Sequence, residues 1–273
     1  MNKVVIFTTL VCLSLYAACT NIQLNQTQQR YWDNMNLPLR GYNGISPANP
    51  SVFSFSALGD THIGSSGGNQ LVHALQVSQA DGDAFAIVAG DDSNTGQESE
   101  LNTFESQIAS VGMTVYPAIG NHDIFFGGWD HYKAIIGRSI YSFDAGVVHF
   151  TFLDTANGTF GEQQLEWLKL DLSTTAQTLK IVVFHFPIVK GEFSTIYKIA
   201  SDEEATIFKS IMRQYGVQLV ISGHYHGYGD STIGGTRYIV SGACNNILEI
   251  GGTPEYVKVS INGSSITTRE VGL

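Results

Sequence analysis

Asp, Asn and His recur in five short pieces of this chain: GDTH at 59–62, GDD at 90–92, GNHD at 120–123, the single His185 of FHFP, and GHYH at 223–226. Any one of these occurs by chance. In this order, each directly after an apolar run, they supply carboxylate, amide and imidazole donors enough for two metal ions, and the chemistry they point to is metal-assisted hydrolysis.

SVFSFSAL, AFAIVA, MTVYPAI, KIVVF and VQLVIS have strand composition, and each delivers one piece where it ends. Residues two apart on an extended chain face the same way, so Asp60 with His62, and His224 with His226, are expected to aim two donors at one locus. Glycines at 59, 90, 120 and 223 precede the donors and suit sharp turns with close backbone approach.

The five blocks resemble the calcineurin-like metallophosphoesterases, whose pattern runs D-x-H, G-D, G-N-H-[DE], H, G-H-x-H. The resemblance extends from Val52 into the 240s and takes in YSFDAGVVHFTFLDT and QQLEWLKLDL. It implies that Asp60, His62 and His226 hold one metal, that Asn121, His185 and His224 hold a second, and that Asp91 bridges them. Two transition-metal ions follow, with Fe, Zn or Mn suited to this donor set. Such a pair acidifies a bridging water, so that hydroxide attacks phosphorus in line. His122, not needed as a ligand, is assigned to stabilise the transition state or protonate the departing oxygen. Asp123 is expected to orient a neighbouring imidazole. The implied fold is a four-layer α/β/β/α sandwich, two mixed sheets flanked by helices, with the metals at the carboxyl ends of central strands. Asn94 stands where purple acid phosphatases carry Tyr, and GDDSNTG lacks the Arg of the protein Ser/Thr phosphatases; the chain departs from both.

Outside the five blocks, His73 in a helical pattern, His131 in a loop-like stretch and His149 in a strand read as structural or surface residues. Asp92 and Asp154 read as turn or helix caps. Phe125, Phe126, Trp129, Tyr197 and Tyr225 could stack on a nucleobase or simply pack. Lys133, Arg138, Lys190 and Lys198 could meet a phosphate or remain solvated.

With 273 residues, 43% of them hydrophobic, the chain suits one large domain with a substantial core, placed at residues 51–273. A net charge of -10 excludes broad nucleic-acid binding. Substrates are expected to be small phosphomonoesters or phosphodiesters, and the chain a monomer. A pyrophosphate-bond hydrolase and a non-enzymatic metal-binding surface protein are the alternatives. Residues 1–20, MNK followed by an apolar core, read as an export leader. The mature chain is then secreted, periplasmic or at the cell surface, and Cys19 is the one membrane link if it carries a lipid. Sequons stand at Asn25, Asn157 and Asn262. Cys12, Cys19 and Cys244 form no disulfide framework. Residues 21–50, rich in Gln, Asn and Pro, are expected to be an extended arm. NQLVHALQVSQA, SELNTFESQIAS and DEEATIFKSIMRQYG are amphipathic helices, the last opened by a capping box of Ser201 and Glu204, and the segments after residue 235 read as strands.

Overall fold

The computed structural model describes residues 26–38, 44–188, 198–245 and 253–273. Cys12, Cys19, Asn25, Lys190 and Tyr197, singled out above, lie outside the described residues. Two mixed sheets stack face to face. The first has the order β11-β10-β1-β2-β3, from β1 (Val52–Leu58), β2 (Ala86–Val88), β3 (Val115–Pro117), β10 (Glu255–Asn262) and β11 (Ser265–Gly272). The second has the order β4-β5-β6-β7-β9-β8, from β4 (Tyr141–Ala145), β5 (Val148–Phe152), β6 (Leu179–Val183), β7 (Leu219–Ser222), β8 (Tyr228–Ile233) and β9 (Thr236–Ser241). β1, β2 and β3 run parallel, as do β5, β6, β7 and β9, and every edge strand is antiparallel to its neighbour except β3.

The alternation of side chains defines four layers. Along β6, Ile181 and Val183 point between the sheets, while Val182 and Phe184 point outward; β7 repeats this with Leu219 and Ile221 against Val220. A strand buried on both faces must be apolar throughout, and VQLVIS is therefore a nearly continuous hydrophobic run. Between the sheets, Phe55 and Phe85 meet Phe150 at ring distances of 5.2 and 5.5 Å. Outside the second sheet, α5 (Glu162–Thr174) contributes Leu165, Leu168 and Leu172, and α6 (Asp202–Gln214) contributes Phe208, Ile211 and Met212. Outside the first sheet lie α2 (Leu71–Ala80) and α3 (Glu98–Val111), and the Ser78 hydroxyl of α2 donates to Ser56 of β1 at 2.8 Å. The four-layer α/β/β/α sandwich is the observed architecture.

The ends of α6 follow its sequence. Ser201 Oγ accepts the Glu204 N–H at 3.2 Å, three acidic residues occupy the first turn, and Arg213 lies in the last. The second half of the expected capping box is not made. The Glu204 carboxylate instead accepts from the Phe160 and Gly161 backbone N–H groups and the Thr159 hydroxyl, fixing the entry to α5.

Two expectations need correction. Residues 26–36 are helical, not extended, and form α1. Its buried residues, Thr27, Arg30 and Asn34, lie three and four apart on one face, so the face is amphipathic in position but polar in chemistry. Arg30 donates two bonds of 2.8 Å to the buried Asp154 carboxylate and one of 2.6 Å to Asn157 Oδ1. Asn34 bridges to Ser139 through both its amide atoms. Asp154 is thus an anchor for α1 as well as the cap of a local turn, accepting the Ala156 N–H at 3.1 Å. The stretch around His131 is not a loop but α4 (Gly128–Ile135), with His131 Nδ1 donating to the Gly96 carbonyl at 2.9 Å. The segments after residue 235 are strands as expected, and they divide: β9, with β8 before it, completes the second sheet, whereas β10 and β11 return to the first.

His149 is structural, as its lone position in a strand suggested. Nδ1 faces Asp144 Oδ1 at 2.7 Å and Nε2 faces Asp171 Oδ2 at 3.0 Å. A ring facing carboxylates through both nitrogens donates to both only as the imidazolium. Burial alone would push its pKa down, but Asp171 and Asp144 outweigh burial and hold it above the ordinary 6.5. Because the folded value is raised, the cluster's contribution is complete below about pH 6.5 and is lost as pH rises through the folded value. Replacement of His149 by Leu is expected to lower unfolding free energy by about 1–3 kcal/mol in mildly acidic buffer. Urea titrations should show that difference shrinking at alkaline pH; a pH-independent difference would remove the charged imidazole from the account.

Candidate metal centre

All five blocks meet at the carboxyl ends of the central strands: GDTH after β1, GDD after β2 and GNHD after β3 in the first sheet, His185 after β6 and GHYH after β7 in the second. The backbone there departs from the extended form that the D-x-H and H-x-H spacings suggested. Asp60, His62, Asp91, His224 and His226 have φ of 50°, 44°, 55°, 71° and 59°. Among the described residues the one other non-glycine in this region is Phe126. The left-handed region costs an L-residue roughly 1–2 kcal/mol and is tolerated where surrounding structure enforces it. Two left-handed residues flanking a third turn both side chains inward, which the pleat of a strand was expected to do.

The four glycines permit the crowding. A Cβ on Gly59 would come 2.6 Å from the Gly242 carbonyl oxygen, on Gly90 2.5 Å from His185 Nδ1, and on Gly223 2.8 Å from the Ala89 carbonyl oxygen; on Gly120 it would collide with Asp91 Oδ1 and its backbone nitrogen. Backbone bonds lock the loops to one another. His62 N–H donates to the Asp91 carbonyl at 2.9 Å and Asp60 N–H to that of Gly90 at 3.1 Å. The His224 N–H lies 3.0 Å from both Asp60 oxygens, tying the two sheets together.

Two donor groups result, sharing Asp91. The first contains Asp60, His62, Asp91 and His226; the second contains Asp91, His185 and His224, with Asn121 beside them. In the first, His62 Nε2 lies 3.1 Å from His226 Nε2 and 3.4 Å from Asp91 Oδ2, and His226 Nε2 lies 3.6 Å from Asp60 Oδ1. In the second, His185 Nε2 lies 3.0 Å from Asn121 Oδ1, 3.1 Å from His224 Nδ1 and 3.3 Å from Asp91 Oδ2. One carboxylate oxygen, Asp91 Oδ2, therefore lies 3.4 and 3.3 Å from an imidazole of each group, the position a bridging ligand requires.

The donor chemistry fits cations. Carboxylate and amide oxygens have no hydrogen to give, and a proton on one ring nitrogen serves one contact, whereas a cation serves several at once. Burial lowers the pKa of His62 to about 4 and that of His224 to about 3, leaving both rings neutral with lone pairs available. His185 Nδ1 faces the Ala89 carbonyl at 2.9 Å, which turns Nε2 toward the centre. Burial would push Asp91 up, but the imidazoles of His185 and His62 hold it well below the carboxylate range. Asp60 is raised to about 6, chiefly by burial.

His122 stands beside both groups. Its N–H donates to Asp91 Oδ1 at 2.9 Å, its Nδ1 faces the Asn94 carbonyl at 2.7 Å, and its ring lies 4.3 Å from that of His62. Asp123 does not meet an imidazole. It accepts from the backbone of Gly120 and Ser93 and from the Ser93 hydroxyl, each at 2.8 Å, and from Asp92 N–H at 3.3 Å. Its task is to staple the GNHD loop to the GDD loop. Asp92 caps nothing: both its oxygens are buried without a hydrogen-bond partner, and burial with Asp123 and Asp91 nearby raises its pKa well above the ordinary value.

The calcineurin-like phosphoesterase family model matches residues 53–228, well over half of the chain and every residue of the two donor groups. The chain belongs to the calcineurin-like phosphoesterases. That family is one of metal-dependent phosphoric ester hydrolases. No curated protein sequence matches the chain. Among solved structures, purple acid phosphatase PPD1 from yellow lupin seeds is 17% identical, with a TM-score of 0.67 over 83% of this chain and 53% of its own. The chain thus spans about half the length of the lupin enzyme. A dimetal phosphatase from Danio rerio is 16% identical, TM-score 0.64, over 81% of this chain and 96% of its own. GAP50, the anchor in the inner membrane complex of Plasmodium, is 17% identical, TM-score 0.63, over 81% and 85%. At these identities the likeness is one of fold.

Sequence reasoning missed several residues around the candidate metal centre. Asn245 donates its amide to the Asp60 carbonyl, Asn94 and Ala89 present carbonyls to His122 and His185, and the Phe186 ring lies 3.8 Å from that of His224. Backbone carbonyls leave no sequence signal, and the Phe beside His185 reads equally well as core. Lys133, Arg138 and Lys198 are engaged away from the centre, with Asp130, the Leu37 carbonyl and Asp202 respectively.

Chelation with EDTA is expected to lower Tm by about 5–10 °C, because cations at a hundredfold excess over Kd stabilise the folded state by about 2.7 kcal/mol. Gly120→Ala should lose bound metal by elemental analysis, since its Cβ displaces Asp91. Gly112→Ala, with φ of 74° but nothing within 4 Å, carries backbone strain alone and should keep its metals; equal metal loss in both would assign the effect to general instability.

Proposed function

We propose that the chain is an exported phosphoesterase that hydrolyses small phosphomonoesters or phosphodiesters at this centre. The observation supporting it most directly is Asp91 Oδ2 set between two donor groups with His122 alongside. Bound cations supply Lewis acidity there, neutralising phosphoryl charge and acidifying water. They are held by Asp60, His62, Asp91 and His226 on one side and by Asp91, Asn121, His185 and His224 on the other.

The chain's own residues complete the reaction. His122 keeps its Nδ1 proton on the Asn94 carbonyl, so Nε2 is the ring atom that faces substrate. As the imidazolium, Nε2 donates a proton to the departing oxygen as the ester bond breaks. The Asp91 contact to the His122 backbone fixes where that proton is delivered. Among the described residues, Lys133, Arg138 and Lys198 near the flanking loops are engaged elsewhere and leave phosphoryl charge to the metal-holding centre.

Export rests on residues 1–20, which have the basic start and apolar core of a leader, with Cys19 available for a lipid. Among the described residues, no helix is long and apolar enough to cross a membrane. Intact mass of the chain made with its leader tests this: retention of residues 1–18 would sink the export reading. Asn157 is a poor glycan acceptor in that setting, because its Nδ2 donates to Gln26 and its Oδ1 accepts from Arg30.

Activity is tested with p-nitrophenyl phosphate and bis-p-nitrophenyl phosphate, using the full chain with Mn²⁺, Zn²⁺ or EDTA. Metal-dependent turnover is expected, and the preferred ester sets the class. No turnover with two equivalents bound would favour the pyrophosphate-bond or the non-enzymatic reading. His122→Ala should reduce kcat by roughly 10²–10⁴-fold with metal content intact; unchanged kcat would take the proton-transfer role from His122.

A further inference from the structure

Between the GNHD loop and α4 the chain makes a turn that carries an unexplained cost. Phe126 has φ of 50° and ψ of 33°, followed by Gly127 at φ of 84°. The turn needs left-handed backbone at both positions. At 127 glycine meets the need without strain, but at 126 a bulky aromatic adopts it, which costs roughly 1–2 kcal/mol. Packing does not compensate: Phe126 is 87% exposed, and its neighbour Phe125 is 39% exposed. Gly or Asn at 126 would relieve the strain and lose little buried surface.

The position of these rings gives the cost a meaning. The Phe125 ring lies 4.6 Å from that of His122, and Phe126 lies 6.4 Å beyond it. Through His122 they continue the rings of His62 and His226, so a row of rings runs from the centre to the rim of the site. An oxygen that leaves beside His122 has the Phe125 ring as an adjoining surface, with Phe126 next along the row. Trp129, two residues beyond this turn, is not part of the row: its Nε1 donates to Asp33 of α1 at 2.7 Å.

We propose that Phe125 and Phe126 form a stacking ledge for a planar, uncharged ring in the leaving portion of the ester, which makes a nucleoside phosphate the substrate class. A flat π-face binds a nucleobase without needing hydrogen bonds, and the backbone turn at 126 sets where that face is presented. This rests on the phosphoesterase reading above and deepens it.

Adenosine 5′-monophosphate and ribose 5-phosphate share the same scissile bond and differ in the base alone, so their methylene-phosphonate analogues, in which CH2 replaces the ester oxygen and nothing can be hydrolysed, isolate the ledge. For the metal-loaded full chain, calorimetric Kd values are expected to favour the nucleotide by on the order of 10-fold, from stacking on one ring. Phe126→Gly, whose glycine suits φ of 50°, should fold at least as stably and bring the ratio close to one. Phe126→Leu keeps apolar bulk without a π-face and should do the same. A wild-type ratio near one, or a ratio unchanged in Phe126→Gly, or one preserved in Phe126→Leu, overturns the ledge. Because binding is read without turnover, failure of the ledge is distinct from failure of the phosphoesterase reading, which the nitrophenyl esters decide.

Discussion

Everything in the structure answers to one electrostatic constraint: Asp60, Asp91, Asn121 and four imidazoles bring lone pairs together with too few protons to separate them. Such a cluster is tolerated where a backbone forces it and cations compensate it. The forcing is visible in the left-handed conformations of Asp60, His62, Asp91, His224 and His226, together several kcal/mol of local cost. Behind each lies a short apolar strand, and β2 is held between β1 and β3. The glycines at 59, 90, 120 and 223 are needed because the loops pass so close that a Cβ on any of them meets a neighbouring loop.

The strands and the donor residues were legible because their chemistry is local. A strand between two covered faces must be apolar at successive positions, and a ligand must be Asp, Asn or His, so VQLVIS followed by GHYH declares both. What was not legible depends on partners distant in sequence. The extended-chain argument for Asp60 and His62 placed the right side chains together by the wrong backbone, since the period of two is also met by alternate left-handed residues. Asp123 lies next to His122 in sequence, yet its partners are the Gly120 N–H and a loop 30 residues away. The helix at residues 26–36 escaped because its inner face is Thr, Arg and Asn, and hydrophobic periodicity cannot report a face that docks through hydrogen bonds. Glu204 likewise begins a recognisable capping box but spends its carboxylate on the approach to α5.

Each donor group draws on both sheets. His226 from the second sheet completes a set otherwise built on β1 and β2, and Asp91 and Asn121 from the first complete a set whose imidazoles follow β6 and β7. Cation binding therefore clamps the two sheets at one end, where the Asp60 contact to the His224 N–H already joins them. Protons compete for the same places. Asp60 and His185 have pKa values raised to about 6 and about 9, the first chiefly by burial and the second by Asp91 and Asp60 against the opposing effect of burial. The centre thus takes up protons where it does not take up metal, and metal uptake must release them.

The α1 helix extends this logic away from the centre. Arg30 and Asp154 are both buried, and a buried ion pair contributes little net stability against its desolvation, while removing one partner strands the other's charge. What the pair supplies is orientation. Asp154 begins the turn after β5, and the next residue, Thr155, accepts the Phe186 N–H at 2.9 Å. Phe186 in turn follows His185 and packs on His224. An apolar seam of the same area would hold α1 as firmly but would permit several registers, whereas a bidentate Arg fixes one. The polar seam thereby sets the turn against which the second sheet's donors are held.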